Sequence, residues 1–199
     1  MTLLSFMTLG PSRTDSAVVG TLGPAGTSSE LAATELAGRF TESVPDPSGV
    51  RLFDTYEAAG DALRANQVTH VVVANAYKAV HRFYMDPTLE LTDVFVMDTP
   101  QYGIAARPGT EPRTESPTIM THPSPVQLIE QLLPQSITSH EVILTNSTSA
   151  AALAVSEGTA DLALTTAPAV GLYGLEFISK TRPIRMVWSV FGRRSDRVE

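Results

Sequence analysis

The stretch VVGTLGPAGTSSE, residues Val18 to Glu30, decides how the rest of the chain reads. Val18 to Leu22 is a short β-branched run of the kind that forms a buried strand. Gly23-Pro24-Ala25-Gly26 ends it in a turn. Thr27 then opens a helix, with Glu30 three residues later completing a capping box. Leu31, Ala32, Leu36 and Phe40 give that helix one apolar stripe. Strand, glycine turn and capped helix together are the opening of an α/β unit.

The unit recurs along the chain. Val50 to Phe53 reads as a strand, and Asp54 with Glu57 forms a second capping box before a helix to Arg64. His70 to Ala74 is a third strand, and Asp93 to Arg107 is a long extended stretch broken at Thr99-Pro100. Thr118 to Thr121 is a strand, after which His122-Pro123-Ser124-Pro125 leads into a helix through Leu133. Glu141 to Leu144, Asp161 to Thr165 and Met186 to Phe191 are further strands, with an alanine-rich helix running to Glu157. Pro45 to Gly49 is a loop. Alternating strands and helices predict an α/β fold with mostly parallel sheets in two Rossmann-like lobes, and ligands at strand carboxyl ends in a cleft between them. The expected division is a loose tail at residues 1–15, lobe 1 at 16–98 with 178–199, and lobe 2 at 99–177.

Composition narrows the function. With 43% apolar and 18% charged residues, the chain of 199 has the make-up of a folded globular protein. Its net charge of −7 offers no basic face, so nucleic acid is not an expected partner. There is no cysteine, which removes disulfides, thiolate metal sites and a cysteine nucleophile. Met1 to Leu9 is apolar but lacks a basic start and is too short to span a bilayer, so no membrane partner is expected and the expected compartment is the cytoplasm. His70, His81, His122 and His140 show no metal-ligand spacing. No P-loop, G-x-S-x-G or G-x-G-x-x-G occurs.

Two turns offer anion chemistry. Gly23 to Ser29 and Asn146 to Ser149 each bring hydroxyls and free N–H groups to a helix start. Placed on opposite lobes, they would hold a molecule with two carboxylates. Ser and Thr at such places are equally ordinary helix caps. Asn75, Tyr77, Lys78, His81, Arg82 and Tyr84 follow the third strand, where donors and cations suit an anion or simply make a surface loop. Tyr102 and Arg107 lie on the long extended stretch, and His122 precedes two prolines.

Leu22 to Glu30 resembles the opening motif of the prephenate dehydratases, and Ala32-Ala33 continues it. Asn75, His122-Pro123, Ser147 to Ala151 and Tyr173-Gly174-Leu175 have counterparts there in the same order, so the likeness spans residues 18–192. That family carries a Thr-Arg-Phe segment on its last strand, and this chain has Met186-Val187-Trp188 instead. A closer resemblance, to the prephenate decarboxylases of bacilysin, aeruginosin and salinosporamide biosynthesis, rests on Thr21 to Glu30, His81 to Pro87 (HRFYMDP), Asp98 to Pro108 (DTPQYGIAARP), Thr121 to Pro125, Asn146 to Ala151 and Trp188 to Gly192.

The resemblance implies a two-lobed fold like the dehydratases and type II periplasmic binding proteins, without the dehydratases' regulatory ACT domain. It implies loss of CO2 from prephenate with the ring hydroxyl kept, in antibiotic or other secondary metabolism, with no metal or organic cofactor and as a homodimer. His81, Tyr77, Tyr102 and His122 are the candidate proton donors. Thr27, Ser28, Ser29, Asn75, Arg107, Ser147, Thr148 and Ser149 are the candidate substrate ligands, with Met186 withholding an acid from the hydroxyl. A prephenate dehydratase and a non-catalytic two-lobed anion binder are the alternatives.

Overall fold

A computed structural model describes residues 3–9, 17–40, 49–110 and 115–194. The chain divides into two units: Met1–Gly23, Ser29–Asp98 and Arg185–Glu199 form the first, and Pro24–Ser28 with Thr99–Ile184 the second. The return to the first unit thus comes at Arg185 rather than at the expected residue 178. Residues 178–184 stay in the second unit because they follow its sheet: Ile178 N–H bonds to Ile104 O, and Tyr102 and Arg182 exchange two backbone hydrogen bonds.

The first unit has a six-stranded sheet in the order β1-β5-β11-β4-β2-β3. Its strands are β1 (Leu3–Thr8), β2 (Val19–Leu22), β3 (Val50–Phe53), β4 (His70–Ala74), β5 (Leu89–Asp98) and β11 (Arg185–Arg193). Only β4-β2-β3 is parallel, and β11, β5 and β1 add antiparallel neighbours. Strand β4 reads VVV because both of its faces are covered. Val72 packs with Ala33 and Leu36 of helix α1 (Ser28–Phe40), and with Phe95, Trp188 and Val190. Val71 and Val73 pack on the other face with Ala59 and Leu63 of α2 (Tyr56–Arg64), Phe83 of α3 (His81–Tyr84) and Phe191.

The second unit has a five-stranded sheet in the order β10-β6-β9-β7-β8. The strands are β6 (Tyr102–Ala106), β7 (Thr118–Thr121), β8 (Glu141–Leu144), β9 (Leu162–Thr166) and β10 (Glu176–Phe177). Again only three, β9-β7-β8, run parallel. One face carries Ile104, Ile119, Leu162 and Leu164 against Ile129 and Leu132 of α4 (Ile129–Leu132), which continues a 3-10 turn at Val126–Leu128. The other is built of small residues, Ala105 and Ala163, which let α5 (Thr148–Ser156) sit close through Ala151 and Ala152. Helix α6 (Ala167–Leu172) follows β9.

The mixed sheets correct the expectation of mostly parallel ones. Short apolar runs read the same in either direction, so periodicity does not report strand polarity. The expected tail also contains structure, because β1 pairs antiparallel with β5 and Phe6 stacks on Phe95 at 5.9 Å. The second helix is capped by Thr55, whose hydroxyl accepts from Ala58 N–H at 3.0 Å, and not by Asp54. The rest of the tail, residues 1–2 and 10–15, and most of the Pro45 to Gly49 loop lie outside the described residues. Among the described residues no helix is long and apolar enough to cross a membrane, and no group of three or more metal-binding side chains occurs.

Candidate functional site

In the second unit the two anion-friendly turns come together. Pro24–Ser28 belongs to this unit, as do Thr148 and Ser149 at the start of α5. Ser149 Oγ donates to Ala25 O, and Thr166 Oγ1 donates to Gly26 O at 2.7 Å. Gly26 has φ +84°, and a Cβ there would lie 3.2 Å from both Ala169 Cα and Ser149 Oγ. A side chain is excluded at this point by conformation and by space alike. The condition of opposite lobes is therefore not met: short polar side chains tie Pro24–Ser28 to the start of α5 and the end of β9 inside one unit.

Tyr102 lies in the middle of this cluster. Its Oη is 2.9 Å from Ser28 Oγ, and Thr148 also bonds to it. The phenol is buried, and burial pushes its pKa above the ordinary value of 10, with the bonds to Ser28 and Thr148 acting the other way. It therefore remains a neutral hydroxyl throughout the physiological range. Ser147 caps α5, its side chain accepting from Ala150 N–H at 2.9 Å, and Thr165 Oγ1 donates to Thr148 O at 2.7 Å. Tyr173 Oη stands 3.4 Å from Ser149 Oγ. Thr27 is buried beside these groups in the same turn.

Arg107 is not brought to this cluster. Its guanidinium donates to Val155 O in the last turn of α5, the far end of a nine-residue helix about 13 Å long. A cation capping a helix C-terminus is a stable arrangement in itself. His122 is half-buried, and its Nδ1 accepts from Ser124 N–H at 3.2 Å, so the ring proton of the neutral form sits on Nε2.

In the first unit, polar groups gather at the carboxyl end of β4. Ser29 Oγ is 2.7 Å from Tyr56 Oη, and the same phenol accepts from Ala74 N–H at 3.3 Å. Asn75 follows directly. Its Oδ1 accepts from Ser189 Oγ at 2.6 Å, and Ser189 Oγ is 2.6 Å from Tyr84 Oη. Ser189 is fully buried. Met186 sits opposite Met97 in the register of β11 and β5, and both pack into the apolar face under α1 with Phe95 and Trp188.

Two candidate acids in this unit are poorly placed. Tyr77 donates to Glu57 Oε1 at 2.7 Å, and burial with this bond pushes its pKa up to about 12. Its proton is committed to a carboxylate. His81 is exposed at the start of α3. Lys78 and Arg82 are also exposed, and Arg82 lies 3.7 Å from Glu57. A surface pocket of about 410 Å³ lies between Arg64, Pro87, Thr88, Arg193 and Arg194, but Arg64 is already paired with Asp61 and Asp86.

Sequence reading overlooked Tyr56 and Ser189. The signal for Ser189 was a lone hydroxyl inside the apolar run VWSVF, where a buried polar group needs a partner. Tyr56 gave none, since an aromatic residue at a helix start reads as core.

The profile of the prephenate dehydratase family matches residues 19–182. A prephenate decarboxylase from Bacillus subtilis is 40% identical over 178 residues, covering 88% of this chain and 86% of that protein. One from Planktothrix agardhii (strain NIVA-CYA 126/8) is 41% identical over 180 residues, covering 89% and 88%. Among solved structures, the prephenate dehydratase of Arthrobacter aurescens in complex with L-Phe superposes with a TM-score of 0.72 at 15% identity. That match covers 92% of this chain and 62% of the dehydratase, so this chain spans under two thirds of its length. A periplasmic substrate-binding protein of Coxiella burnetii reaches 0.51 at 14% identity, covering 92% and 87%. These last two likenesses bear on fold alone. By its profile match and by its identity to these relatives, the chain belongs to the prephenate dehydratase family.

Proposed function

We propose that this protein removes CO2 from prephenate and leaves the ring hydroxyl in place. The observation that carries this reading is the identity of about 40% over nearly nine tenths of the chain to relatives named prephenate decarboxylase. In the step proposed, the bond between ring carbon C1 and the carboxylate breaks, and its electrons form C1=C2. The C2=C3 pair takes a proton at C3, and CO2 leaves. The C4–O bond is untouched, so the ring does not become aromatic. The substrate's own alkene accepts the electrons, and no cofactor takes part.

Hydroxide would leave from C4 readily if an acid stood beside it, because aromatisation favours that path. Met186 supports the opposite outcome: it packs against Met97, Phe95 and Trp188 and has no proton to give. The Ser149 proton goes to Ala25 O, which leaves the linked hydroxyls of Ser28, Tyr102 and Thr148 as the neutral donors suited to a carboxylate, at the positive end of α5. Of the four candidate donors Tyr102 is the best supported, because Tyr77 is bound to Glu57 and His81 is exposed. A buried phenol with a raised pKa works as a relay, passing on one proton as it takes up another. We further propose that the enzyme is cytoplasmic, serves secondary-metabolite biosynthesis and works as a homodimer.

Incubation of the purified protein with prephenate, with the product identified by proton NMR, tests this function. Vinylic ring signals beside a carbinol proton are expected. Aromatic signals mean a dehydratase, and unchanged prephenate means that the reading is wrong.

A further inference from the structure

The HRFYMDP segment, residues 81–87, contributes no group to the chemistry above, yet one of its side chains is linked through Ser189 to a candidate substrate ligand. The contacts run in one direction. Ser189 has a single hydroxyl proton, and it is given to Asn75 Oδ1 at 2.6 Å. The 2.6 Å contact between Ser189 and Tyr84 must then be donated by the phenol. Tyr84 thus donates to Ser189, and Ser189 to Asn75. Each bond polarises the next.

This order has a consequence for Asn75. Its carbonyl oxygen is occupied, so the amide presents only its two N–H donors away from the sheet. Asn75 is itself exposed, and its backbone N–H is held by Val187 O at 3.1 Å, which fixes where the side chain starts. Ser189 is fully buried, so water does not stand in for its second partner. The phenol is aimed by packing: the Tyr84 ring meets Phe191 edge-on at 5.0 Å, and the Phe83 ring lies 5.4 Å from the same Phe191.

We infer that Tyr84 is a positioning residue: through Ser189 it locks the Asn75 amide with its donors turned outward, toward an anionic oxygen of the substrate. The inference rests on the prephenate reading for the identity of that anion, but the lock itself is a property of the unliganded protein. Without the Tyr84 hydroxyl, the Ser189 proton is no longer directed. Asn75 then offers its carbonyl as readily as its amide, and a carbonyl repels a carboxylate.

Two measurements test it. Steady-state kinetics on prephenate compare the wild type with Tyr84→Phe, Asn75→Ala and the double variant. Tyr84→Phe is expected to raise KM about three- to tenfold, the worth of one oriented hydrogen bond, with kcat within about twofold. In the Asn75→Ala background the same change is expected to do nothing further. Equal effects in both backgrounds, or none in either, overturn the inference. The second measurement is the Asn75 side-chain amide pair in 15N-resolved NMR of the ligand-free protein. Tyr84→Phe should shift that pair while leaving distant amides in place, and an unmoved pair overturns the inference whatever the substrate. Failure of the wild type to consume prephenate, with the pair still shifted, would overturn only the substrate reading.

Discussion

Ser28 Oγ and Tyr102 Oη stand 2.9 Å apart, joining the first residue of α1 to the first residue of β6 within the second unit. Thr148 bonds to the same phenol from the start of α5. Three segments far apart in sequence therefore share one buried hydroxyl. If that hydroxyl relays the proton, Tyr102→Phe should lower kcat by about a hundredfold, the usual worth of a placed proton donor. Because burial raises the Tyr102 pKa above 10, the wild-type rate should show no inflection from this group between about pH 6 and 9. Stopped-assay kinetics across that range check both statements.

Met97 is fully buried in the apolar core, and Met186, opposite it across the sheet, is the side chain proposed as the apolar wall beside the C4 hydroxyl. Met186→Thr together with Val187→Arg should divert a measurable share of product to phenylpyruvate, read by chromatography against a standard. A product mixture identical to the wild type would count against the role given to this wall.

Arg107 illustrates a residue whose observed contact argues for stability. Its bond to Val155 O caps α5, so Arg107→Ala should cost about 1 kcal/mol. In a chain of this size that is a fall in Tm of about 2–4 °C. KM for prephenate should stay within about twofold. A tenfold rise in KM at unchanged Tm would place Arg107 on the substrate instead.

His70 gives the fold a pH dependence. The ring is buried, stacks on Phe40 at 4.6 Å and lies beside Thr69 Oγ1 at 2.9 Å from Nδ1. Burial lowers its pKa from 6.5, with Asp93 opposing the shift. The unfolded chain therefore binds this proton at a higher pH than the folded one. The stability contribution is complete above pH 6.5 and declines as pH falls below it toward the folded pKa. Tm should drop as the buffer is taken from about pH 7 to 5, and His70→Phe should flatten part of that slope. Calorimetry of the two proteins at matched ionic strength is the check.

Much of this arrangement was legible beforehand. Strands such as Val50–Phe53, His70–Ala74 and Thr118–Thr121 stand out because apolar, β-branched runs end at turn residues. Their order and polarity were not legible. The antiparallel place of β11 between β5 and β4 depends on contacts across most of the chain, which local pattern does not encode. The GPAGTSS and NSTS turns were recognisable as anion-friendly, but that Ser149 would bond to Ala25 was not, since pairing between separated loops leaves no periodic trace. The contacts of Arg107 and Tyr77 were not legible for a shared reason. A charge or phenol near a site reads as functional until its partner is known, and here the partners are Val155 O and Glu57.

In the reaction proposed, the C4–O bond of prephenate survives. Prephenate labelled with 18O at the ring hydroxyl tests it directly, with the keto-acid product weighed by mass spectrometry. The product is expected to have lost CO2 and to retain the label in full. A product without the label, accompanied by labelled water, would contradict it.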